Sequence, residues 1–280
     1  MQLPRVLTFG TDTWDPSYRF ETSWLIPPYV LFALRALASL YAFTTLLFNI
    51  GYECAHAELG GCADARASFS FFTVLTYWGL AFYLLVSAVH TFTYARYGRP
   101  LLDRFPRPLQ ALHALFYSTV TTMPFLVTIV YWGILYDYGS AWFPTVYAGW
   151  SNVSQHALNS LFALFEILVT RVGSQPAVHA LWIVVLMALY LALAYVTRAT
   201  EGFYTYSFLD PGYVGSLVAA YIFGIGVATV IIYGIVKGAI WVRRWVTEEK
   251  MGMRGKFAKS ELRCDIEAHH LGGLEMTEGK

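Results

Sequence analysis

The chain has 280 residues, of which 57% are hydrophobic, 18% aromatic and only 13% charged, with a formal net charge of +1. Soluble domains carry about a quarter charged residues, so this balance excludes an ordinary soluble domain, and the near-neutral charge argues against a nucleic-acid partner. It fits an all-α integral membrane protein, in which each span needs roughly 20 mostly apolar residues.

In chain order, residues 1–28 are polar, aromatic and Pro-containing, with no apolar stretch of the kind a signal peptide needs. They read as a cytosolic N-terminal segment, and the first span then serves as its own insertion signal. Six apolar segments follow near 29–51, 69–92, 109–136, 152–171, 178–199 and 213–242. The expected architecture is a six-helix transmembrane domain over 29–245 and a charged, mobile cytosolic tail over 246–280. Basic residues mark the cytosolic side. The loop 93–108 holds Arg96, Arg99, Arg104 and Arg107, and the stretch after span six holds Arg243, Arg244, Lys250, Arg254, Lys256, Lys259 and Arg263. Loops 52–68, 137–151 and 200–212 hold only Arg66. Both termini are therefore expected in the cytosol, in an endoplasmic reticulum, endomembrane or plasma membrane setting.

Cys54 and Cys62 fall in the first outer loop, where a disulfide is permitted. Their spacing is compatible with a bridge or with two thiols. Glu53, His56 and Asp64 lie close by and read as a solvated polar loop rather than a metal site. Cys264, in the tail, reads as reduced. No metal or cofactor is expected.

The fourth span, "WSNVSQHALNSLFALFEILV" (150–169), carries most of the polarity. On an α-helix Asn152, His156, Asn159, Ala163 and Glu166 share one face, which must turn to the bundle interior or a wet cavity. Glu166 lies toward the cytosolic end, level with Arg35 of span one, and an ion pair between them is expected. His156 lies about one turn below the outer surface, where a neutral imidazole can take a hydroxyl proton, with Asn152 and Asn159 in reach to orient it. Span two starts on the same side with "SFSFFTVLTYWGLAFYLL", so helical rise puts Thr73 at the depth of His156. Tyr77, on the face of Thr73, is positioned to donate to an oxyanion; Thr76 and Ser70 are rival nucleophiles. "YSTVTTMP" in span three reads as a Pro-kinked helix whose hydroxyls satisfy freed backbone groups. His90 and His113 read as interfacial, and His269 and His270 show no metal spacing.

Three stretches together resemble the androgen-induced-gene family of transmembrane threonine hydrolases. "WSNVSQH", after the Pro-containing loop "WFPTVYAGW", is similar to a Trp-x-Asn-x3-His motif, and Glu166 matches a family glutamate. "GFYTYSFLD" (202–210) looks like the Gly-x-aromatic-x-Tyr-x-Phe-Leu-acid stretch before the last span. "SFSFFTVLT" looks like the Ser-x-x-Phe-x-Thr opening of the nucleophile span. The resemblance covers roughly residues 65–245, and "HALNSLFALFEI" resembles the wording of fungal members. It implies an ester hydrolase acting within the bilayer, cleaving fatty acid esters of hydroxy fatty acids or related acyl esters, with membrane lipids as substrate or surroundings. The nucleophile would fall on Thr73 and the base on His156, with Tyr204, Tyr206 and Asp210 shaping the mouth of the site. The sequence departs from the family at Thr76, commonly Asp, and at Ala157 and Leu158, which replace Thr-Thr before a Pro. The rival class is a transporter, channel or scaffold using the polar stripe for packing; the spans show neither an inverted repeat nor paired broken helices.

Overall fold

The computed structural model describes residues 14–139, 143–253 and 257. Helix α1 (Pro28–Ala55) opens on Pro28, whose fixed φ and missing N–H suit a first helical turn. A short α2 (Gly61–Ala67) follows, tied to the end of α1 by a Cys54–Cys62 disulfide. Helix α3 (Phe72–Tyr97) packs along α1 and stops at Gly98, whose φ of +77° is the left-handed conformation glycine adopts at helix ends. Helices α4 (Arg107–Val120) and α5 (Met123–Val130) form one bent rod, broken at Thr121 and Thr122. Pro124 sits in the first turn of α5, where no backbone donor is lost, and the Ser118, Thr119 and Thr121 hydroxyls bond back to their own turns.

Helix α5 ends in a π turn, Tyr131–Leu135. The next helical run combines α6 (Val146–Val153), a π turn (Ser154–Leu158) and α7 (Asn159–Val169). It starts before the expected boundary because Thr145 caps it, its side chain accepting from the Ala148 N–H at 3.0 Å. Helix α8 (Val178–Glu201), the single turn α9 (Pro211–Val214) and α10 (Leu217–Arg244) complete the bundle. Helix α10 continues as a π turn through Lys250, past the expected boundary at Trp245, because Arg19 pairs with Glu248 and Thr247 and Glu248 are buried. Of the expected tail, Arg254, Lys256, Lys259, Arg263, Cys264, His269 and His270 lie outside the described residues.

Among the described residues, five helical stretches are long and apolar enough to cross a membrane: 28–55, 72–97, 107–135, 178–201 and 217–250. The run 146–169 is long enough but is diluted by Asn152, Gln155, His156, Asn159 and Glu166. No β-strand occurs among the described residues; Ser23 and Thr170 form an isolated bridge. The core gathers Tyr77, Leu80 and Leu84 of α3 with Leu46, Tyr117, Leu126 and Ile167. The outer faces are apolar too: Leu37, Leu40, Leu47, Leu189, Phe223 and Ile235 are each more than half exposed, a surface suited to lipid rather than water.

One end of the bundle, called basal here, is closed by buried charge. Arg35 is fully buried and grips Glu166 in a two-pronged pair, Nε to Oε1 at 2.7 Å and Nη2 to Oε2 at 2.6 Å. Its Nη1 donates to the Phe20 carbonyl at 2.8 Å and to Thr91 Oγ1 at 2.6 Å. Residues 14–27 fold into this end, with Phe20 against His113 and Tyr117. The last carbonyls of a helix have no intrahelical donor; for α7 they are met from outside. Trp24 Nε1 donates to Leu168 O at 2.7 Å, Ser23 Oγ to Val169 O at 2.5 Å, and Arg243 to the Thr170 and Val172 carbonyls. His90 and His113, expected at the interface, are instead buried and cross each other edge to face, because Tyr83, Phe105 and Phe20 pack around them. Glu21 is 1% exposed, and neither carboxylate oxygen has a hydrogen-bond partner among the described residues. Burial, then the negative charge of Asp15, pushes its carboxyl well above the ordinary 4.5.

Removing one partner of a buried ion pair strands the other, at about 3–5 kcal/mol. Arg35→Glu and Glu166→Arg should each lose about that much stability, or fail to fold, and the double exchange should recover most of it in a detergent melting assay. For Glu21 the folded value lies above the unfolded one, so its contribution is complete below about pH 4.5 and is lost as pH rises toward the folded value. Glu21→Gln should flatten that decline and raise stability at pH 8 by about 1–3 kcal/mol, the range for an unsatisfied buried polar group.

Candidate functional site

Where α3, the bent α4–α5 rod, α8 and α10 separate, they leave a cavity of about 200 Å³. Its walls are mostly apolar, including Phe72, Leu126, Met187 and Ile225, and the polar side chains among them are Thr73, Tyr131, Tyr190 and Tyr206. Thr73 enters from the first turn of α3, two residues after the extended Phe71, where the chain turns into the helix. Tyr206 comes from the loop between α8 and α9, lines the cavity with Thr73, and packs edge-on against Phe71 with ring centroids 5.8 Å apart. Burial raises the Tyr206 phenol above its ordinary value of 10.0, with Thr73 opposing the shift, so the phenol keeps its proton for donation. Tyr190 donates to Ser70 O at 3.1 Å and to Thr205 Oγ1 at 3.3 Å, anchoring the start of α3 to that loop.

The rival hydroxyls are otherwise engaged. Thr76 Oγ1 donates to Phe72 O and Thr73 O at 2.9 Å each and faces a neighbouring apolar cavity. Ser70 Oγ accepts from Thr197 at 3.1 Å. Of the three, Thr73 is the one that lines the cavity with the tyrosines.

His156 sits in the middle of the π turn Ser154–Leu158. A π turn interrupts the regular i→i−4 ladder, and here the His156 carbonyl is met by Thr128 Oγ1 at 2.8 Å and Trp132 Nε1 at 3.0 Å. The His156 Nδ1 lies 2.9 Å from the Asn152 carbonyl. A carbonyl only accepts, so Nδ1 carries the proton and Nε2 the lone pair. The ring stacks on Tyr131 with centroids 3.6 Å apart and planes inclined by 20°. Tyr131 donates to Asn152 Oδ1 at 2.7 Å, and Asn152 Nδ2 to Ala148 O at 2.9 Å. Asn152 therefore holds both rings, one by its backbone and one by its side chain.

The structure brings some expected residues together and separates others. Arg35 meets Glu166 at the basal end. Thr73 and Tyr206 share the cavity, whereas His156 lies behind its wall, in contact with Tyr131 rather than among the lining residues. Asn159 does not hold His156: its Oδ1 accepts from Thr128 at 3.1 Å, tying α7 to α5. Tyr77, expected to face an oxyanion, is 1% exposed on the side of α3 toward Thr45 of α1, because helical rotation from Thr73 carries it off the cavity. Tyr204 packs under Arg198 at 4.9 Å, and Asp210 caps α9 by accepting from the Gly212 N–H at 2.8 Å. Tyr131 and Tyr190 carry the cavity's polarity without any sequence signal that separates them from the other tyrosines of their spans. Among the described residues, no group of three or more His, Cys, Asp and Glu could hold a metal ion.

Tyr131 should matter by two separable amounts. Tyr131→Phe removes the bond to Asn152 and should lower stability by about 0.6 kcal/mol, the average for an interhelical hydrogen bond within a membrane. Tyr131→Ala also removes the stacking on His156 and should lose at least a further 0.5–1.5 kcal/mol, read from the same unfolding measurement. Compared with protein-family models, curated proteins and solved structures, the chain matches none.

Proposed function

We propose that this is a multi-pass membrane protein with six spans and both termini in the cytosol, and that it hydrolyses acyl esters within the bilayer. The run 146–169 is then the fourth span, its polar residues covered by α1 and α5. The disulfide lies at the opposite end from the arginines of loop 93–108, as expected if the basal end faces the reducing cytosol.

The observation that carries the enzymatic reading is the placement of Thr73. It is a helix-start hydroxyl in an apolar cavity, beside the protonated phenol of Tyr206, and Tyr131 is the shared wall between it and a histidine with a fixed tautomer. The similarity of "WSNVSQH", "GFYTYSFLD" and "SFSFFTVLT" to the androgen-induced-gene family supports the same assignment, and the chain is read as a divergent member. For His156 Nε2 to take the Thr73 Oγ proton, Tyr131 must swing from between them and admit a bridging water. The alkoxide adds to the ester carbonyl carbon, and Tyr206 donates to the oxyanion. Collapse breaks the bond to the leaving alcohol oxygen, which takes the proton from His156 and leaves an acyl-threonine. Water then gives a proton to His156, attacks the acyl carbon and releases the fatty acid while Thr73 regains its proton.

A scaffold is the second reading, favoured by one observation: Asn152, Ser154, Asn159, Ser160 and Glu166 all have hydrogen-bond partners on neighbouring helices. The two readings part in one assay. On esters of hydroxy fatty acids in mixed micelles, Thr73→Ala should fall to background and His156→Ala should lose about 10²–10⁴-fold in rate, while Thr76→Ala keeps most activity. Equal turnover by all four proteins would leave the scaffold. For topology, a membrane-impermeant maleimide should reach Cys54 and Cys62 only after reduction and only from the side opposite the C-terminus.

A further inference from the structure

A second cavity, of about 300 Å³, lies against the first, between α3, the bent α4–α5 rod and α8. The two share a wall. Phe72 and Tyr190 line both, and their rings pack with centroids 4.9 Å apart and planes inclined by 58°. Tyr190 is tethered through its hydroxyl to Ser70 O and Thr205, whereas Phe72 is held by packing alone. Thr76 and Thr119 also line the second cavity, but their hydroxyls turn back onto their own helices, donating to Phe72 O and Leu115 O. Apart from these and Tyr190, its lining is apolar, and among the described residues no charged side chain lines either cavity. Leu186, Leu189 and Leu193 line it and are also exposed on the outside of the bundle, so it opens sideways along α8.

We propose that this second cavity receives one of two hydrocarbon arms of the ester. The substrate is then an ester with an uncharged chain on both its acid and its alcohol side, split across the Phe72–Tyr190 wall. Phe72 immediately precedes Thr73 in α3, so a carbonyl held at the Thr73 hydroxyl sits at the edge of that wall. The two substituents of an ester leave its carbonyl in different directions, and one cavity lies on each side. The first cavity alone falls below the about 300–1,000 Å³ usual for a small-molecule site, and the two together fall within that range. A free carboxylate enclosed in either would be buried without a partner, which is costly, whereas an uncharged chain arriving from lipid meets no such barrier. Gly79 sets the room available in the second cavity. A Cβ at this position would meet only Phe116, at 3.9 Å, so a larger side chain fits without a clash and takes up space. The inference rests on reading Thr73 as the nucleophile, but occupancy of the cavity is measurable without turnover.

The test exposes full-length Thr73→Ala, in uncharged detergent, to hexadecyl palmitate carrying a photoreactive diazirine at the end of each chain, and maps the cross-links by mass spectrometry. Adducts are expected in two places: residues 119–123, which border the second cavity alone, and residues 222–226, which border the first alone. Gly79→Val, and independently Leu186→Phe, should cut the adduct at 119–123 about tenfold, as when a group is excluded from an apolar pocket. The adduct at 222–226 should persist in both and shows that the fold is intact. In chains that keep Thr73, the same two substitutions should raise KM for hexadecyl palmitate about tenfold and leave that for ethyl palmitate, with one long arm, within about twofold. No adduct at 119–123, or one that both substitutions leave unchanged, would overturn the proposal. Cross-links at both places without hydrolysis by wild type would support the two-arm site and count against the Thr73 chemistry alone.

Discussion

The bundle depends on an arginine that has no water to turn to. Arg35 is fully buried, and a guanidinium in a low-dielectric interior is tolerable only if its charge and its donors are met. Glu166 meets the charge; Thr91 and the Phe20 carbonyl meet the remaining Nη1 donor. These partners come from α7, α3 and the N-terminal segment, so one side chain of α1 ties four parts of the chain together. Sliding α7 against α1 by a turn would strand both charges. The same constraint draws residues 14–27 into the bundle, where Ser23 and Trp24 then complete the last carbonyls of α7, which have no intrahelical donor.

With Glu166 pinned to α1, the π turn at Ser154–Leu158 determines what the outer half of the same helical run can face. Without it, Asn152 and His156 would continue the line of Glu166. The interruption lets Asn152 and His156 address α5, through Tyr131 and Trp132, while Ser151 and Ser154 address α1 through Asn49 and Tyr41. A second π turn, Tyr131–Leu135, lies opposite and presents Tyr131 to both His156 and the cavity. Wide turns often mark functional positions in helices. Here they turn a packing stripe into two seams and free a histidine ring from the first of them.

Much of this was legible in the sequence, for definite reasons. Spans follow from runs of apolar residues, and the Arg35–Glu166 pair from two charges at matching depth in helices too apolar to strand them. Equal offsets in helices starting on one side put Thr73 and His156 in one layer, and the structure sets them on either side of Tyr131. What escaped reading depends on departures from regular geometry. The i, i+4 line assumes an unbroken α-helix, so Asn159 appeared to serve His156 when it bonds Thr128. Tyr77 shares a face with Thr73 on a helical wheel, yet a helix in a bundle turns that face toward two neighbours, and Tyr77 went to α1. Tyr206 was placed at the mouth of the site by resemblance alone, because no local pattern encodes the return of its loop to α3. Residues 14–27 look like a polar leader because their apolar anchor is chiefly Phe20 and the rest of their docking is hydrogen bonds to another helix end.

The central claim is that Thr73 is an activated nucleophile and His156 the group that activates it, with Tyr131 positioning that histidine. An acyl-enzyme makes this visible without knowledge of the natural ester. The most direct measurement is peptide-resolved mass spectrometry of the full chain after exposure to a lipid-tailed fluorophosphonate. The expected result is a single phosphonyl adduct on Thr73 in wild type, absent in His156→Ala and unchanged in Thr76→Ala. An adduct elsewhere, or equal labelling of Thr73 without His156, would contradict it.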